Sequence, residues 1–337
     1  MDLIAKVLTG ERLSLSQAQE LMDQVMQGAL SPVRVGALLA ALAVRGETPL
    51  EIAGFARSMR AAALQIHPLR RPLIDTCGTG GDRTGSFNIS TAAAFVAAGA
   101  GVAVAKHGNR KASGKSGSAD VLEALGVRVD LPPEAAQESI DKIGIGFLFA
   151  RTHHPAMANV AGVRAELGVP TVFNLLGPLT NPAGATHQLV GVYDPRFVVP
   201  VAESLAQLGL EAALVVHGEG LDELALGRSQ VAEMRAGQVR SYSIDAQELG
   251  LEAAPVSELA GGNPEENAHL LKAILAGELT GPKADIVVLN AGAAIWLAGV
   301  AGSLPAGLGA ARESLASGQA ARVLQELIEF TQSNSKY

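Results

Sequence analysis

The 337-residue sequence has a single cysteine, Cys77. No internal disulfide can form, and a metal site built from several thiolates is excluded. Aromatic residues make up 4% of the chain, too few for a platform that stacks single-stranded nucleic acid. Charged residues are 18%, against about 25% in an ordinary globular protein. The 48% hydrophobic content excludes a disordered chain. Lys and Arg number 26 against 33 Asp and Glu, a net charge of −7, so the broad basic surface of a nucleic-acid binder is missing. No run approaches the roughly 18 apolar residues of a membrane span. Residues Met1 to Lys6 lack the basic-then-apolar text of a secretory signal, and a cytoplasmic location is expected. Glycine is abundant, at 38 residues, without a collagen-like period. The excess is expected in tight turns and in loops that approach a ligand.

The first 66 or so residues read as helices. Ser14 or Ser16 caps a helix through Ala18, Leu21, Met22 and Val25, and Gly28 ends it. Pro32 opens a second helix, Val33 to Val44, that is apolar nearly all round. Such a helix is buried on more than one side, which places Leu39 at a contact with another domain or a second subunit. A third helix follows Thr48-Pro49.

The texture changes at Pro72. Strands are expected at Leu73 to Thr76, Val102 to Ala105, Val127 to Val129 and Ile145 to Phe149, with helices at Ser90 to Ala100 and Ala119 to Leu125. Helical text from 155 to 180, ending at Gly177-Pro178, interrupts the alternation. Strands resume at Leu189 to Val192, Ala213 to Val216 and Asp285 to Leu289, and Ala310 to Phe330 reads as one amphipathic helix. Leu226 to Gly281 gives no clear pattern. The fold class is α/β: a central, mostly parallel sheet in a larger domain, beside a small all-helical one.

Several polar clusters fall at strand ends. Gly78-Thr79-Gly80-Gly81-Asp82 joins a strand to a helix, where backbone N–H groups reach an anion closely. Three glycines in four positions exceed the needs of a turn. The third glycine of a dinucleotide fingerprint falls on Arg83, so that motif is absent. Asn88-Ile89-Ser90-Thr91 starts the next helix, where Ser and Thr serve as caps or as phosphate donors. The stretch from Lys106 to Ser118 carries four cations and three hydroxyls. A Walker A loop would need glycine at Asn109, which disfavours an NTPase. Ligands of open α/β sheets bind beyond the carboxyl ends of strands, so this loop reads as a binding element rather than solvated surface. Asp222 and Glu223 follow a strand and a glycine-bearing loop, which suits Mg²⁺, an ion that takes few carboxylates and keeps waters and phosphates. His153 and His154 are adjacent, so their side chains diverge and make a poor metal pair. Arg164 lies among Val160, Val163 and Leu167. It is either a surface group with a packed stem or a planar fork for a carboxylate.

Asp75-Thr76-Cys77-Gly78-Thr79-Gly80-Gly81-Asp82, Phe87-Asn88-Ile89-Ser90-Thr91, Lys106-His107-Gly108-Asn109-Arg110 and Ser116-Gly117-Ser118-Ala119-Asp120 closely resemble the anthranilate phosphoribosyltransferase family. So do Phe173-Asn174-Leu175-Leu176-Gly177-Pro178-Leu179-Thr180-Asn181-Pro182 and His217-Gly218-Glu219-Gly220-Leu221-Asp222-Glu223. The resemblance spans almost the whole chain. It implies transfer of a phosphoribosyl group from 5-phosphoribosyl 1-diphosphate (PRPP) to the amine of anthranilate, in tryptophan biosynthesis. It also implies a nucleoside phosphorylase-like fold in a homodimer. Residues 1–67 with an insertion near 155–180 form the small domain; 68–154 and 181–337 form the large one.

By motif position, PRPP is expected at Gly78, Gly81, Asp82, Ser86, Asn88, Ile89, Ser90, Thr91, Lys106, His107, Gly108, Asn109, Arg110, Lys111, Ala112, Ser113, Gly114 and Ser118. Mg²⁺ is expected at Ser90, Asp222 and Glu223, and anthranilate at Gly78, Asn109 and Arg164, with His107, His154 and Pro178 nearby. Lys106, Asn109 and Arg164 are the expected catalytic set. Arg83, Ser86 and Gly114 depart from the usual family text. A pyrimidine nucleoside phosphorylase and a nucleic-acid-binding relative of the same fold are the alternatives. The first has little use for Asp222-Glu223, and the second conflicts with the net charge of −7.

Overall fold

The computed structural model describes residues 2–82, 84–111 and 116–333. Arg83, Ala112, Ser113, Gly114 and Lys115 lie outside the described residues. The chain opens with α1 (Leu3–Leu8), α2 (Leu15–Met26), α3 (Pro32–Arg45) and α4 (Pro49–Ala61). Their starts are written in the sequence. The Ser14 hydroxyl takes the Gln17 N–H, and the Gln17 side chain takes the Ser14 N–H in return. Thr48 and Glu51 repeat this arrangement at α4, and proline fills the first turn of both α3 and α4. Glu51 is fully buried and also accepts the Leu13 N–H at 2.9 Å, tying the α1–α2 connection to α4.

β1 (Leu73–Gly78), α5 (Ile89–Gly99), β2 (Ala103–Gly108), α6 (Ser118–Leu125), α7 (Pro133–Ile143) and β3 (Ile145–Phe149) follow, then α8 (Ala150–His153), α9 (Ala158–Leu167) and α10 (Phe173–Leu179). The chain returns with β4 (His187–Gly191), α11 (Val198–Gln207), β5 (Ala212–Gly218), β6 (Arg228–Arg235) and β7 (Gln238–Asp245). It finishes with α12 (Pro264–Leu275), α13 (Pro282–Leu297), α14 (Leu304–Ala316) and α15 (Gln319–Ser333). Among the described residues the strands form one seven-stranded sheet, ordered β3-β2-β1-β4-β5-β6-β7. β1 to β5 pair in parallel, and the β5–β6 and β6–β7 pairs are antiparallel.

Alternate residues of the strands feed two cores. Leu214 and Val216 of β5 pack with α5 and α13, whereas Ala213 and Val215 join the cluster that holds Leu21, Leu38, Phe55 and Val201. The core of α1–α4 is therefore continuous with one face of the sheet. α9 packs on α2 and α3, and α10 on α4.

Four sequence expectations change. Asp285 to Leu289 is helix inside α13, not strand. Ile286, Val287 and Val288 are buried in the middle of a sixteen-residue helix, and an apolar run buried all round has no period to distinguish it from a strand. Val127 and Val129 are buried, but 127–129 is not strand; the Arg128 N–H goes to the Thr331 hydroxyl of α15 at 3.1 Å. Ala310 to Phe330 is two helices, α14 and α15, broken at Gly318 with φ of 73°. The expected stop at Gly177-Pro178 fails too, because Pro178 lies within α10. The unpatterned stretch holds β6, β7 and α12.

α3 changes the expectation for Leu39 alone. It has one buried side, with Val35, Leu38, Leu39 and Leu42, and an exposed side with Val33 at 81% and Val44 at 91%. Leu39 thus belongs to the chain's own core. Leu39→Glu is expected to lower unfolding stability by at least about 3 kcal/mol, since it removes packed apolar area and buries a charge. Denaturant titration checks this; a wild-type midpoint would contradict the packing.

Candidate active site

The strand order reverses direction between β1 and β4, so the carboxyl ends of these two strands open a crevice. β1, β2, β4 and β5 each end in glycine: Gly78, Gly108, Gly191 and Gly218. Two of these face Asp222. A Cβ on Gly78 would overlap the Asp222 carboxylate, and one on Gly191 would overlap its backbone carbonyl. The bare strand ends therefore admit the loop after β5 into the crevice. Gly80, at φ of 65°, donates its N–H to Asp222 Oδ2 at 2.7 Å. Thr79 N–H goes to the Gly191 carbonyl at 2.9 Å, and the Thr79 hydroxyl takes the Tyr193 N–H at 3.0 Å. Part of the glycine-rich loop is thus committed to a carboxylate of the chain itself.

Glu223 is buried beside Asp222 and accepts the Ser90 N–H at 3.1 Å, at the start of α5. Lys106 of β2 is buried too. Its ammonium donates to the Thr76 carbonyl at 2.6 Å and the Ser90 hydroxyl at 3.3 Å. Burial pushes the Asp222 carboxyl up to about 6, with further repulsion from Asp82. Burial and then the Asp222 charge raise Glu223 well above the usual carboxylate range, with Lys106 opposing. Burial pulls the Lys106 ammonium down, and Asp75 leads the charges that hold it up. One lysine faces several buried acids, so the cluster has room for further positive charge. Among the described residues no group of three or more Asp, Glu, His or Cys side chains makes a complete metal site. A divalent ion bound to the pair would need oxygens from water or substrate.

Beside this cluster lies a cavity of about 470 Å³. Gly80 and Gly81 form its near wall; Ala161, Arg164, Ala165, Gly168, Val169, Pro170, Asn174 and Tyr193 form the rest. Arg164 lies over the Phe173 ring, 5.1 Å from its centroid, and burial lowers its pKa. No ion pair of Arg164 occurs among the described residues. The cavity pairs an unneutralised guanidinium with an apolar wall, the complement of a small aromatic or aliphatic carboxylate.

The His107 and His154 rings lie 5.1 Å apart, and neither Nε2 has a hydrogen-bond partner among the described residues. Burial lowers both, His154 to about 4, so both imidazoles are neutral near pH 7. The remaining expected residues have separate engagements. Asp82 accepts from the Thr84 hydroxyl at 2.7 Å, and the Ser86 N–H goes to that hydroxyl at 3.4 Å. Asn88 donates to the Ser116 carbonyl at 3.3 Å and accepts from Asn267 at 3.0 Å. The Ile89 and Thr91 side chains are buried, which leaves exposed groups of that turn to Asn88 and Ser90. Arg110 turns toward α6, pairs with Glu123 and Asp120, and stacks on Phe149. The Asn109 side chain takes the Arg110 N–H at 2.8 Å, and its carbonyl takes the Ser118 hydroxyl at 3.2 Å. Gly108 is bare because Ser118 abuts it. Lys111 N–H goes to Asp120 at 2.9 Å, and the Pro178 carbonyl accepts from Gln188 at 2.7 Å. The expected contacts at Ala112, Ser113 and Gly114 lie outside the described residues. Sequence reasoning missed Thr79, Thr84, Asn174, Tyr193 and Asn267. Tyr193, just beyond β4, had a strand-end signal; Asn267 sits on a helix from the unpatterned stretch.

Residues 70–321 match the glycosyl transferase family, a/b domain, and residues 1–63 match the helical bundle domain of that family. The anthranilate phosphoribosyltransferase of Thermus thermophilus is 54% identical over 330 residues, covering 98% of this chain and 99% of the relative. A crystal structure of anthranilate phosphoribosyltransferase from Thermus thermophilus superposes with a TM-score of 0.95, at 54% identity, over 99% of this chain and 100% of that one. The Saccharomyces cerevisiae enzyme in complex with PRPP and Mg is 27% identical, with a TM-score of 0.89 over 98% of this chain and 97% of that one.

The glycine contacts are testable without any ligand. Gly191→Ala forces a methyl group against the Asp222 backbone and is expected to cost about 1–3 kcal/mol of unfolding stability. Gly162→Ala on α9 meets no atom within 4 Å and is expected to be neutral or stabilising. Paired denaturant melts check the contrast, and equal midpoints would contradict it.

Proposed function

The chain belongs to the anthranilate phosphoribosyltransferase family, and from that premise we propose how its crevice divides the work of the reaction. The reaction transfers the phosphoribosyl group of PRPP to the amine of anthranilate and releases diphosphate, in tryptophan biosynthesis. The phosphorylase and nucleic-acid alternatives are not favoured by these relatives. The observation that carries the division is the shared wall: Gly80 both binds Asp222 and lines the Arg164 cavity.

On the donor side, the loops bearing Gly78, Gly81, Asp82, Ser86, Asn88, Ser90, Lys106, His107, Gly108 and Ser118 hold PRPP. The mutually repelling Asp222 and Glu223 fit Mg²⁺, with Ser90 as a third oxygen. Mg²⁺, when bound, neutralises negative charge on the diphosphate. Lys106 adds its ammonium to that charge as the C1–O bond breaks. On the acceptor side, Arg164 takes the anthranilate carboxylate, and the apolar cavity wall takes its ring. Asn109, His107, His154 and Pro178 complete this side with neutral groups. The amine of anthranilate is already a neutral nucleophile at pH 7. It forms the N–C1 bond while diphosphate leaves and gives up one proton. Fixing both partners is then the main source of rate. Anthranilate fluorescence should fall only when PRPP and Mg²⁺ are both present. Consumption without PRPP, or phosphate-dependent cleavage of a pyrimidine nucleoside instead, would overturn the reading.

We read 1–67 with 155–180 as the acceptor-side unit and a second copy of the chain as its partner. The exposed Val33 and Val44 of α3 supply an apolar strip for that contact. Val44→Glu is expected to give folded monomers in sedimentation velocity, and an unchanged dimer would contradict the placement. Among the described residues no helix is long and apolar enough to cross a membrane. We place the enzyme in the cytoplasm.

Two substitutions separate the two sides. Arg164→Ala removes a charge-assisted hydrogen bond of about 1.5–3 kcal/mol, so KM for anthranilate should rise roughly ten- to a hundredfold while that for PRPP stays close to wild type. A defect confined to PRPP would remove Arg164 from the acceptor site. Asp222→Asn should lower Mg²⁺-dependent activity yet raise the melting temperature at pH 8 without divalent ions. The native Asp222 carboxyl titrates at about 6, above its unfolded value, so the folded state binds the extra proton. That stabilisation is complete below about pH 4 and is lost as pH rises through about 6, so the variant's advantage should vanish by pH 4. Melts at both pH values check this; an equal shift at both would contradict it.

A further inference from the structure

The sheet is split next to Lys106. β1 and β2 are in register only at Leu73 with Ala103 and Ile74 with Val104. β1 continues against β4 as far as Gly78 with Gly191, and β2 against β3 as far as Gly108 with Phe149. Beyond Ile74, three backbone groups of β1 and β2 are met by side chains. The His107 N–H goes to Asp75 Oδ1 at 3.1 Å. The Ala105 carbonyl accepts from Asn181 Nδ2 at 2.8 Å, and the same nitrogen donates to Asp75 Oδ2 at 2.8 Å. The Thr76 carbonyl accepts from the Lys106 ammonium at 2.6 Å. Asn181 Oδ1 takes the Ala183 N–H at 2.9 Å, which fixes the amide's orientation. Asp75, Asn181 and Lys106 are all at most 3% exposed.

A purely structural patch would need only to satisfy these backbone groups. Here it also decides where the ammonium sits. If the ladder closed, the Thr76 carbonyl would be taken by β2, and Lys106 would lose its closest partner. Asn181 belongs to the chain segment that leaves α10, two residues beyond Leu179. The stretch leading into it carries Arg164 on α9 and Asn174 on α10.

We propose that Asp75 and Asn181 are positioning residues for the transfer: they hold β1 and β2 apart so that the Lys106 ammonium occupies the split, and Asn181 ties that position to the segment bearing Arg164. This rests on the reading of Lys106 given above. Neither residue touches substrate in this scheme; both act through the lysine.

A double-mutant cycle at saturating substrates tests it, with Asn181→Ala, Lys106→Met and the double variant. Asn181→Ala alone should lower kcat roughly tenfold or more, as a misplaced group does, with KM for anthranilate little changed. In the Lys106→Met background it should have no further effect. Effects that multiply, or a wild-type kcat for Asn181→Ala, would overturn the proposal while leaving the lysine's role intact. If Lys106→Met itself keeps full kcat, the reading of Lys106 falls, and this inference with it. Should Asn181→Ala not fold, the isosteric Asp75→Asn enters the same cycle and is judged by the same outcomes. Failure of both to fold would assign the pair to core stability and overturn the proposal.

Discussion

Two adjacent carboxylates, the half-buried Asp222 and the buried Glu223, meet one buried lysine at the point where the sheet reverses its strand order. Burying like charges together is costly unless hydrogen bonds and opposite charge answer them. The surrounding structure supplies both. Gly80 and Ser90 offer backbone N–H groups, and Lys106 offers its ammonium within the same cluster. The remaining imbalance raises both carboxyls, so they hold protons more firmly than exposed carboxylates would.

The local backbone follows from that constraint. Gly78 and Gly191 lack side chains because the Asp222 loop occupies the space beside them. Gly80 turns through the left-handed region to aim its N–H at the carboxylate and at the same time faces the Arg164 cavity. One loop thereby forms the boundary between the carboxylate cluster and the Arg164 cavity. Alanine, valine and proline make the apolar part of the cavity wall, and Tyr193 is the aromatic side chain among its lining residues.

The parallel strands β1 to β5 were legible because short apolar runs stop at glycine or polar text. The meeting of the Gly78–Asp82, Ser90, Lys106 and Asp222-Glu223 clusters was legible because each falls at or near the carboxyl end of a strand. Ile286-Val287-Val288 was misread because β-branched residues in a helix buried all round carry no helical period. Gly318 breaks the last helical stretch at a positive φ, and in sequence nothing separates it from a glycine tolerated within a helix. The Arg228–Arg235 strand alternates weakly because its inner residues include the buried Glu233, whose charge is met by Arg235, Arg240 and Tyr242. The roles of Asp75, Asn181 and Asn267 were not legible. Asn181 reaches Asp75 across 106 residues and the Ala105 carbonyl across 76, and Asn267 reaches Asn88 across 179, so only the folded chain makes these contacts.

The carboxylate cluster leaves a thermodynamic signature that no sequence match can mimic. If Asp222 and Glu223 hold protons that a divalent cation displaces, binding PRPP with Mg²⁺ near pH 6 must release protons. Isothermal calorimetry in buffers of different ionisation enthalpy counts them directly. The account predicts net proton release at pH 6 that diminishes toward pH 8 and is smaller in Asp222→Asn. Zero exchange, or proton uptake, at pH 6 would contradict it.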